Sequence, residues 1–207
     1  MTAGASSRIV LASGSSARAA MLRGAGLDPV IDPADIDERA VEASCRADGD
    51  ATDAVAVALA RAKALAVSAR HAGAMVIGAD QMMDCGGKIF HKPADLAQAR
   101  ETLVKLQGRD HRLVSGMCLA RDGAVLWHYA AVAVLTMRAL DTDAIDRYLD
   151  AAGAGVLASV GAYRLEETGS QLFDRIEGDY FTILGLPLLP LLAALRDQTP
   201  PPDGLLS

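Results

Sequence analysis

Short apolar runs bounded by Gly, Ser or Asp alternate along this chain with longer stretches in which apolar residues recur at helical spacing. Ile9-Val10-Leu11-Ala12 predicts a first strand over 8–12, closed by the turn Ser13-Gly14-Ser15-Ser16, and a short helix over 17–23 that ends before Gly24 and Gly26. Pro29 and Pro33 oppose helix, so 28–38 is expected to be extended. An alanine-rich helix follows over 53–70, capped by Thr52 or Asp53. A buried strand at 75–79 ends on the acid Asp80, and Gly86-Gly87 turns the chain between two strand pieces. The periodicity then predicts a helix over 96–106 stopped by Gly108, and strands over 112–120 and 124–137 flanking the hairpin signal Asp122-Gly123. A helix over 141–151, a loop opened by Gly161-Ala162-Tyr163, a strand over 171–176 and a last helix over 187–196 complete the series, with Pro190 tolerable only near that helix's first turn. Residues 1–7 and 199–207 are expected to be flexible. No internal repeat is visible. Mixed strands and helices with one long hairpin argue for an α/β fold on a mixed sheet.

Composition narrows the function classes. At 207 residues the chain can bury a sizeable core in one elongated domain or two small lobes. Aromatics are only 4%, so that core must be built mostly from Ala, Val and Leu. A net charge of −6 argues against a surface that coats nucleic acid, while leaving room for a local basic pocket that holds a small polyphosphate. Cys45, Cys85 and Cys118 are widely spaced with no CxxC, so neither a disulfide framework nor a zinc knuckle is indicated, and a reducing cytoplasm fits. The apolar segment near the N-terminus is too short for a signal peptide or anchor, and the run 183–195 is too short to span a bilayer and is interrupted by Pro187 and Pro190.

Five segments carry residue types suited to phosphate chemistry. Ser13, Ser15 and Arg18 lie on a strand–turn–helix start, where backbone N–H groups, hydroxyls and a guanidinium can bind an anion. The plain alternative is a Gly/Ser turn with a surface arginine. Neither GxxxxGK[ST] nor GxGxxG occurs, so the usual P-loop and dinucleotide fingerprints fail. Asp37-Glu38, in a loop after an extended segment, offers a carboxylate ligand or simply a solvated acidic loop. Lys63 among alanines either points its amine into a cleft or snorkels at the helix surface. Asp80 at a strand end can hold a divalent metal, with Lys92 nearby for phosphate, or it merely initiates a turn. The segment 159–166, with Tyr163 and Glu166, can read a base edge or only connect elements. The four histidines form no ligand pair on one turn, and no nucleophile elbow or Ser/His/Asp spacing is present.

Taken in order, Leu11-Ala12-Ser13-x-Ser15, Asp37-Glu38, Ala62-Lys63-Ala64, Gly78-Ala79-Asp80, Lys92-Pro93, Gly161-Ala162-Tyr163 and Gly185-Leu186-Pro187-Leu188 resemble the Maf family of house-cleaning nucleoside triphosphate pyrophosphatases. The likeness runs over about 9–196. One such motif would be weak; the ordered set is specific. The resemblance implies a single Maf-like domain with an elongated mixed β-sheet, flanking helices and two lobes around a central cleft, commonly as a homodimer. It implies hydrolysis between the α and β phosphates of a nucleotide, giving a monophosphate and pyrophosphate. It casts Ser13, Ser15 and Arg18 as phosphate ligands and Lys63 and Lys92 as neutralising cations. Glu38 and Asp80 become ligands of a divalent cation (magnesium or manganese, with cobalt a further candidate), and Asp80 also the proton acceptor from water.

Two positions bear on the base. The family branch that prefers dTTP and UTP reads Gly-Ala-Asp-Thr and carries glutamine where this chain has Glu166, whereas the branch that prefers 7-methyl-GTP reads Asp-Gln and carries glutamate. Gln81 and Glu166 resemble the second branch, and a carboxylate suits the N1–H and N2–H₂ donors of guanine. Much of the family has Pro-Arg-Arg where this chain has Ser16-Ala17-Arg18, and the 7-methyl-GTP branch often has a stacking tryptophan at the place of Ala17. A dTTP/UTP pyrophosphatase, a stepwise phosphatase and a nucleotide-sensing regulator of cell division and septum formation are the competing readings.

Overall fold

The computed structural model describes residues 8–206. The expectation for 1–7, and the last residue of the expected flexible tail, lie outside that range. The chain is α/β, with seven strands hydrogen-bonded in the order β2-β1-β3-β5-β6-β7 and β4 set against β3. In chain order these elements are β1 (Ile9–Leu11), α1 (Ser16–Gly24), β2 (Val30–Ile31), α2 (Glu38–Ala47), α3 (Thr52–Ser68), β3 (Met75–Cys85), β4 (Lys88–Phe90), α4 (Leu96–Leu106), β5 (Asp110–Arg121), β6 (Ala124–Met137), α5 (Thr142–Ala152), β7 (Phe173–Glu177), α6 (Tyr180–Ile183) and α7 (Leu188–Arg196). Two short 3₁₀ stretches, Gly153–Ala158 and Thr168–Leu172, lie between α5 and β7.

The residues group into two compact units. Among the described residues, the first contains those up to Asp80, Ser115–Ala131 and those from Leu184 onward; the second contains Gln81–Val114 and Val132–Ile183.

In the first unit β1 is parallel to both β2 and β3, with Val10 opposite Val30 and Val76. Ile9, Val10 and Leu11 are all buried, as a short central parallel strand requires. The alanine-rich composition of α3 has a direct packing cause. A Cβ added at Gly78 of β3 would lie 2.0 Å from the Ala60 carbonyl oxygen, and one added at Gly116 of β5 would lie 2.3 Å from that of Ala56. The helix therefore rests almost backbone to backbone on the sheet, and only Gly beneath it and Ala56, Ala60 and Ala64 along its inner stripe permit that approach. Val10, Val67, Val76 and Cys118 close the same core. Asp122 and Gly123 both take positive φ, 49° and 75°, as the tight β5–β6 hairpin turn demands. Ser68 Oγ accepts from the Gly123 N–H, tying that turn to the end of α3.

The second unit carries β4, α4, α5, β7 and α6, with Asp95 and Asp141 capping α4 and α5 through bonds to the N–H groups of Gln98 and Ala144. β7 pairs antiparallel with β6, Leu135 facing Ile176. The buried His111 and Tyr163 and the half-buried Phe173 form a ring cluster, and His111 Nε2 lies 2.7 Å from the Tyr163 hydroxyl.

Several expected elements are corrected. The stretch 28–38 is strand only at Val30–Ile31, and Glu38 stands at the start of α2 rather than in a loop. That helix buries none of its residues fully, and its half-buried face, Val41, Glu42, Cys45 and Arg46, mixes apolar with charged side chains, so it shows no continuous apolar stripe. The start of α3 has no side-chain cap: its N-cap is Ala51, not Thr52 or Asp53. β3 continues through Asp80 to Cys85, because the antiparallel pairing of β4 with Met83–Cys85 prolongs it. Pro190 does lie in the first turn of α7. In the segment after α7, the carbonyls of Thr199 and Pro200 accept from Arg121. No helix among the described residues is long and apolar enough to cross a membrane.

Candidate functional site

Six of the expected site residues fall in the first unit, around the level where β1 ends. The last β1–β3 partner pair is Leu11 with Ile77, and the Ala12 N–H still donates to the Ile77 carbonyl. Asp80 lies three residues further along β3. It is therefore beyond the carboxyl end of β1, although not beyond the end of its own strand as the sequence suggested. In parallel sheets that is where ligands meet the chain.

Lys63 reaches this level from α3. It occupies the same helical stripe as Val55, Leu59 and Ala60, which faces the sheet, and so its side chain is buried rather than snorkelling. Its Nζ lies 2.6 Å from Asp80 Oδ1 and 2.7 Å from Glu38 Oε1. The Lys63 and Asp80 side chains are each 11% exposed, whereas that of Glu38 is 56% exposed, so one carboxylate is sheltered and the other faces water. Asp37 caps α2, its Oδ1 accepting from the Ala40 N–H at 3.0 Å, and this places Glu38 in the first helical turn, where the dipole favours a carboxylate.

Ser13, Ser15 and Arg18 stand at the start of α1. Ser15 is the N-cap, with Oγ accepting from the Arg18 N–H at 3.3 Å. Arg18 is buried, and it holds three protein acceptors: Nε donates to the Gly185 carbonyl at 2.8 Å, and Nη1 donates to Ser13 Oγ at 3.0 Å and to the Ala79 carbonyl at 2.9 Å. One side chain thus ties together the three signature segments around Ser13, Asp80 and Gly185. Burial pushes the Arg18 pKa down, while the charges of Asp80 and Glu38 favour the cation.

The other three expected residues belong to the second unit. Gln81 donates through Nε2 to the carbonyls of Thr182 and Ile183, at 3.1 and 3.0 Å, and so ties β3 to the end of α6. Glu166 Oε1 accepts from Arg164 Nε at 3.2 Å, and the same arginine also pairs with Glu167. Lys92 is exposed, and Pro93 after it is buried.

Sequence reading missed a clamp in the first unit. Arg70 grips both oxygens of Asp32, at 2.7 and 2.8 Å, and donates to the Pro33 carbonyl; His71 Nε2 lies 2.6 Å from Asp32 Oδ2. These bonds hold the segment that leads from β2 to Asp37 and Glu38, and they push the Asp32 carboxyl below its ordinary range. A bond spanning 38 residues leaves no local signal. Nor do the Ala79 and Gly185 carbonyls, which act as acceptors irrespective of residue type.

The donor set fits a hard divalent cation. Glu38 and Asp80 supply only carboxylate oxygens, and they are already gathered by one ammonium. No group of three or more His, Cys, Asp or Glu exists among the described residues that could hold a metal by itself. A cation here would take its remaining ligands from phosphate and water, as magnesium commonly does.

Residues 8–198 match the family described as "Maf-like protein". The chain is 56% identical to the 7-methyl-GTP pyrophosphatase of Mesorhizobium japonicum, over 91% of this chain and 95% of that one. It is 52% identical to the 7-methyl-GTP pyrophosphatase of Brucella abortus, over 92% and 96%. A protein named nucleoside triphosphate pyrophosphatase from Paramagnetospirillum magneticum is 53% identical, over 91% and 97%. With these matches and this constellation of residues, the chain belongs to the Maf-like protein family.

Proposed function

We propose that this chain is a nucleoside triphosphate pyrophosphatase that hydrolyses a guanine-type nucleotide, with 7-methyl-GTP the favoured substrate, to the monophosphate and pyrophosphate. The observation that carries the reading is the buried Lys63 ammonium held between Asp80 and Glu38 beside the start of α1. Ser13, Ser15 and the first N–H groups of α1 bind phosphate oxygens, with Arg18 behind them and Lys63 and Lys92 neutralising charge. Asp80 spends Oδ1 on Lys63, and its Oδ2 accepts the proton of the attacking water. Glu38 and Asp80 hold a divalent cation (magnesium, manganese or cobalt), which when bound shields phosphoryl charge and lowers the pKa of water. Water attacks the α-phosphorus, the bond to the bridging oxygen breaks, and the electron pair leaves with pyrophosphate.

Glu166 and Gln81 are assigned to recognition of the base. The names of the Mesorhizobium and Brucella relatives support the guanine-type preference. A 7-methylated guanine is cationic, so a carboxylate suits it doubly. Glu166→Gln is expected to change the ranking of nucleotides more than the overall rate; an unchanged ranking removes Glu166 from recognition. The enzyme is further taken to act in the cytoplasm as a homodimer, without nucleic-acid or membrane partners.

The test is to incubate the pure protein and magnesium with dTTP, UTP, GTP and 7-methyl-GTP, and to separate pyrophosphate from orthophosphate. Pyrophosphate release, fastest from 7-methyl-GTP, is expected. Orthophosphate release would mean a stepwise phosphatase. No release with magnesium, manganese or cobalt would favour a nucleotide sensor.

A further inference from the structure

The hydrogen bonds of Arg18 through Nε and Nη1 give it a task within the protein framework. A serine hydroxyl has two lone pairs and one hydrogen. In this chain two donors already arrive at Ser13 Oγ: Arg18 Nη1 at 3.0 Å and the Ser15 backbone N–H at 3.3 Å. Both lone pairs are therefore committed, and the hydroxyl hydrogen must be given to a third group. Ser13 is only 9% exposed, so bulk water is a poor recipient. Arg18 also fixes the carbonyl of Ala79, the residue before Asp80, and the carbonyl of Gly185. The guanidinium is thus bound into the protein framework on the side of Nε and Nη1.

From these contacts we infer that Arg18 is a positioning residue that makes Ser13 an obligate hydrogen-bond donor, and that Ser13 Oγ–H, rather than the arginine, contacts the pyrophosphate group of the nucleotide. The inference rests on the proposed pyrophosphatase reading for the identity of the anion. It assigns the two residues different chemistry: Ser13 touches the ligand, and Arg18 acts through Ser13. A lysine at 18 cannot reproduce it, because one ammonium lacks the planar fork that reaches Ser13, Ala79 and Gly185 together.

A double-mutant cycle on pyrophosphate affinity separates the two roles. Titration calorimetry of inorganic pyrophosphate with magnesium, on the full chain, would compare wild type, Ser13→Ala, Arg18→Lys and the double variant. Ser13→Ala is expected to weaken binding roughly tenfold, the loss of one charge-assisted hydrogen bond. Arg18→Lys should weaken it in wild type but by less than about twofold once Ser13 is alanine. A double variant that multiplies the two separate losses overturns the inference, since Arg18 would then contact the anion by itself. If Arg18→Lys fails to fold, Ser13→Ala and Ser13→Cys decide: both should bind weakly, because a thiol is a poor donor. Wild-type affinity in either overturns the inference, as does a wild-type protein that binds no pyrophosphate. Nucleotide turnover, measured separately, reports on the proposed activity whichever way the cycle falls.

Discussion

Lys63 is the residue on which the site turns. A buried ammonium is tolerated only with partners, and here the partners are the two carboxylates the proposed chemistry needs. The pairing also sets their separate tasks. Asp80, sheltered and bonded through Oδ1, is held in one orientation; Glu38, facing water, can exchange Lys63 for other ligands. Asp80→Asn keeps the shape and a hydrogen-bond acceptor for Lys63 while removing the base. It is expected to lower turnover roughly 10²- to 10⁴-fold with an unchanged circular dichroism spectrum and a cooperative melt. Near-normal activity in the folded variant would remove Asp80 from the chemistry.

At the scale of elements, the site depends on how closely α3 approaches the sheet. Gly78 lies two residues before Asp80, and the close contact it permits with Ala60 is what brings Lys63 level with that acid. Gly78→Ala would drive a methyl into backbone that cannot move aside. The expected cost is about 3 kcal/mol of stability, seen as a lowered denaturant midpoint with little change in m-value. A midpoint equal to wild type would show that the helix does not need this contact. The same contact explains what the sequence disclosed. The alanine-rich stretch predicts a helix over 53–70 in which Lys63 stands out, but residue type alone leaves its amine either in a cleft or snorkelling at the surface, and only the packing of α3 shows it buried. Ser13, Ser15 and Asp80 were legible because strand–turn–helix and strand–acid patterns are local. The helix opening at Glu38 was not, since the half-buried face of α2 mixes charged with apolar side chains and its anchor, the Asp32–Arg70 clamp, joins residues far apart in sequence. Asp80 as a mid-strand residue was also hidden, because the length of β3 is set by pairing with β4 rather than by its own composition.

For the whole molecule, the buried His111 gives stability a pH dependence. Burial pushes its pKa down to about 4, against about 6.5 in the unfolded chain. Below pH 6.5 the unfolded chain therefore binds a proton that the folded chain refuses. The stabilisation from keeping His111 neutral is complete above that pH, and it is lost progressively as pH falls from about 6.5 to about 4, by at most about 3 kcal/mol. Asp32, held below its ordinary range by Arg70 and His71, adds a loss only at lower pH, below about 4 where a free carboxylate protonates. Melting temperature is thus expected to decline between pH 6.5 and 4, and His111→Gln, which can still bond the Tyr163 hydroxyl, should flatten that decline. An equal slope in the variant would place the titrating group elsewhere.

The proposed reaction breaks the link between the α and β phosphates by water attack at the α-phosphorus, with Asp80 as the base. The most direct test is hydrolysis of 7-methyl-GTP with magnesium in ¹⁸O-labelled water, followed by mass spectrometry of both products, for wild type and Asp80→Asn. One labelled oxygen in the 7-methyl-GMP, none in the pyrophosphate, and almost no product from the variant are expected. Label in the pyrophosphate, release of orthophosphate, or full activity in Asp80→Asn would contradict it.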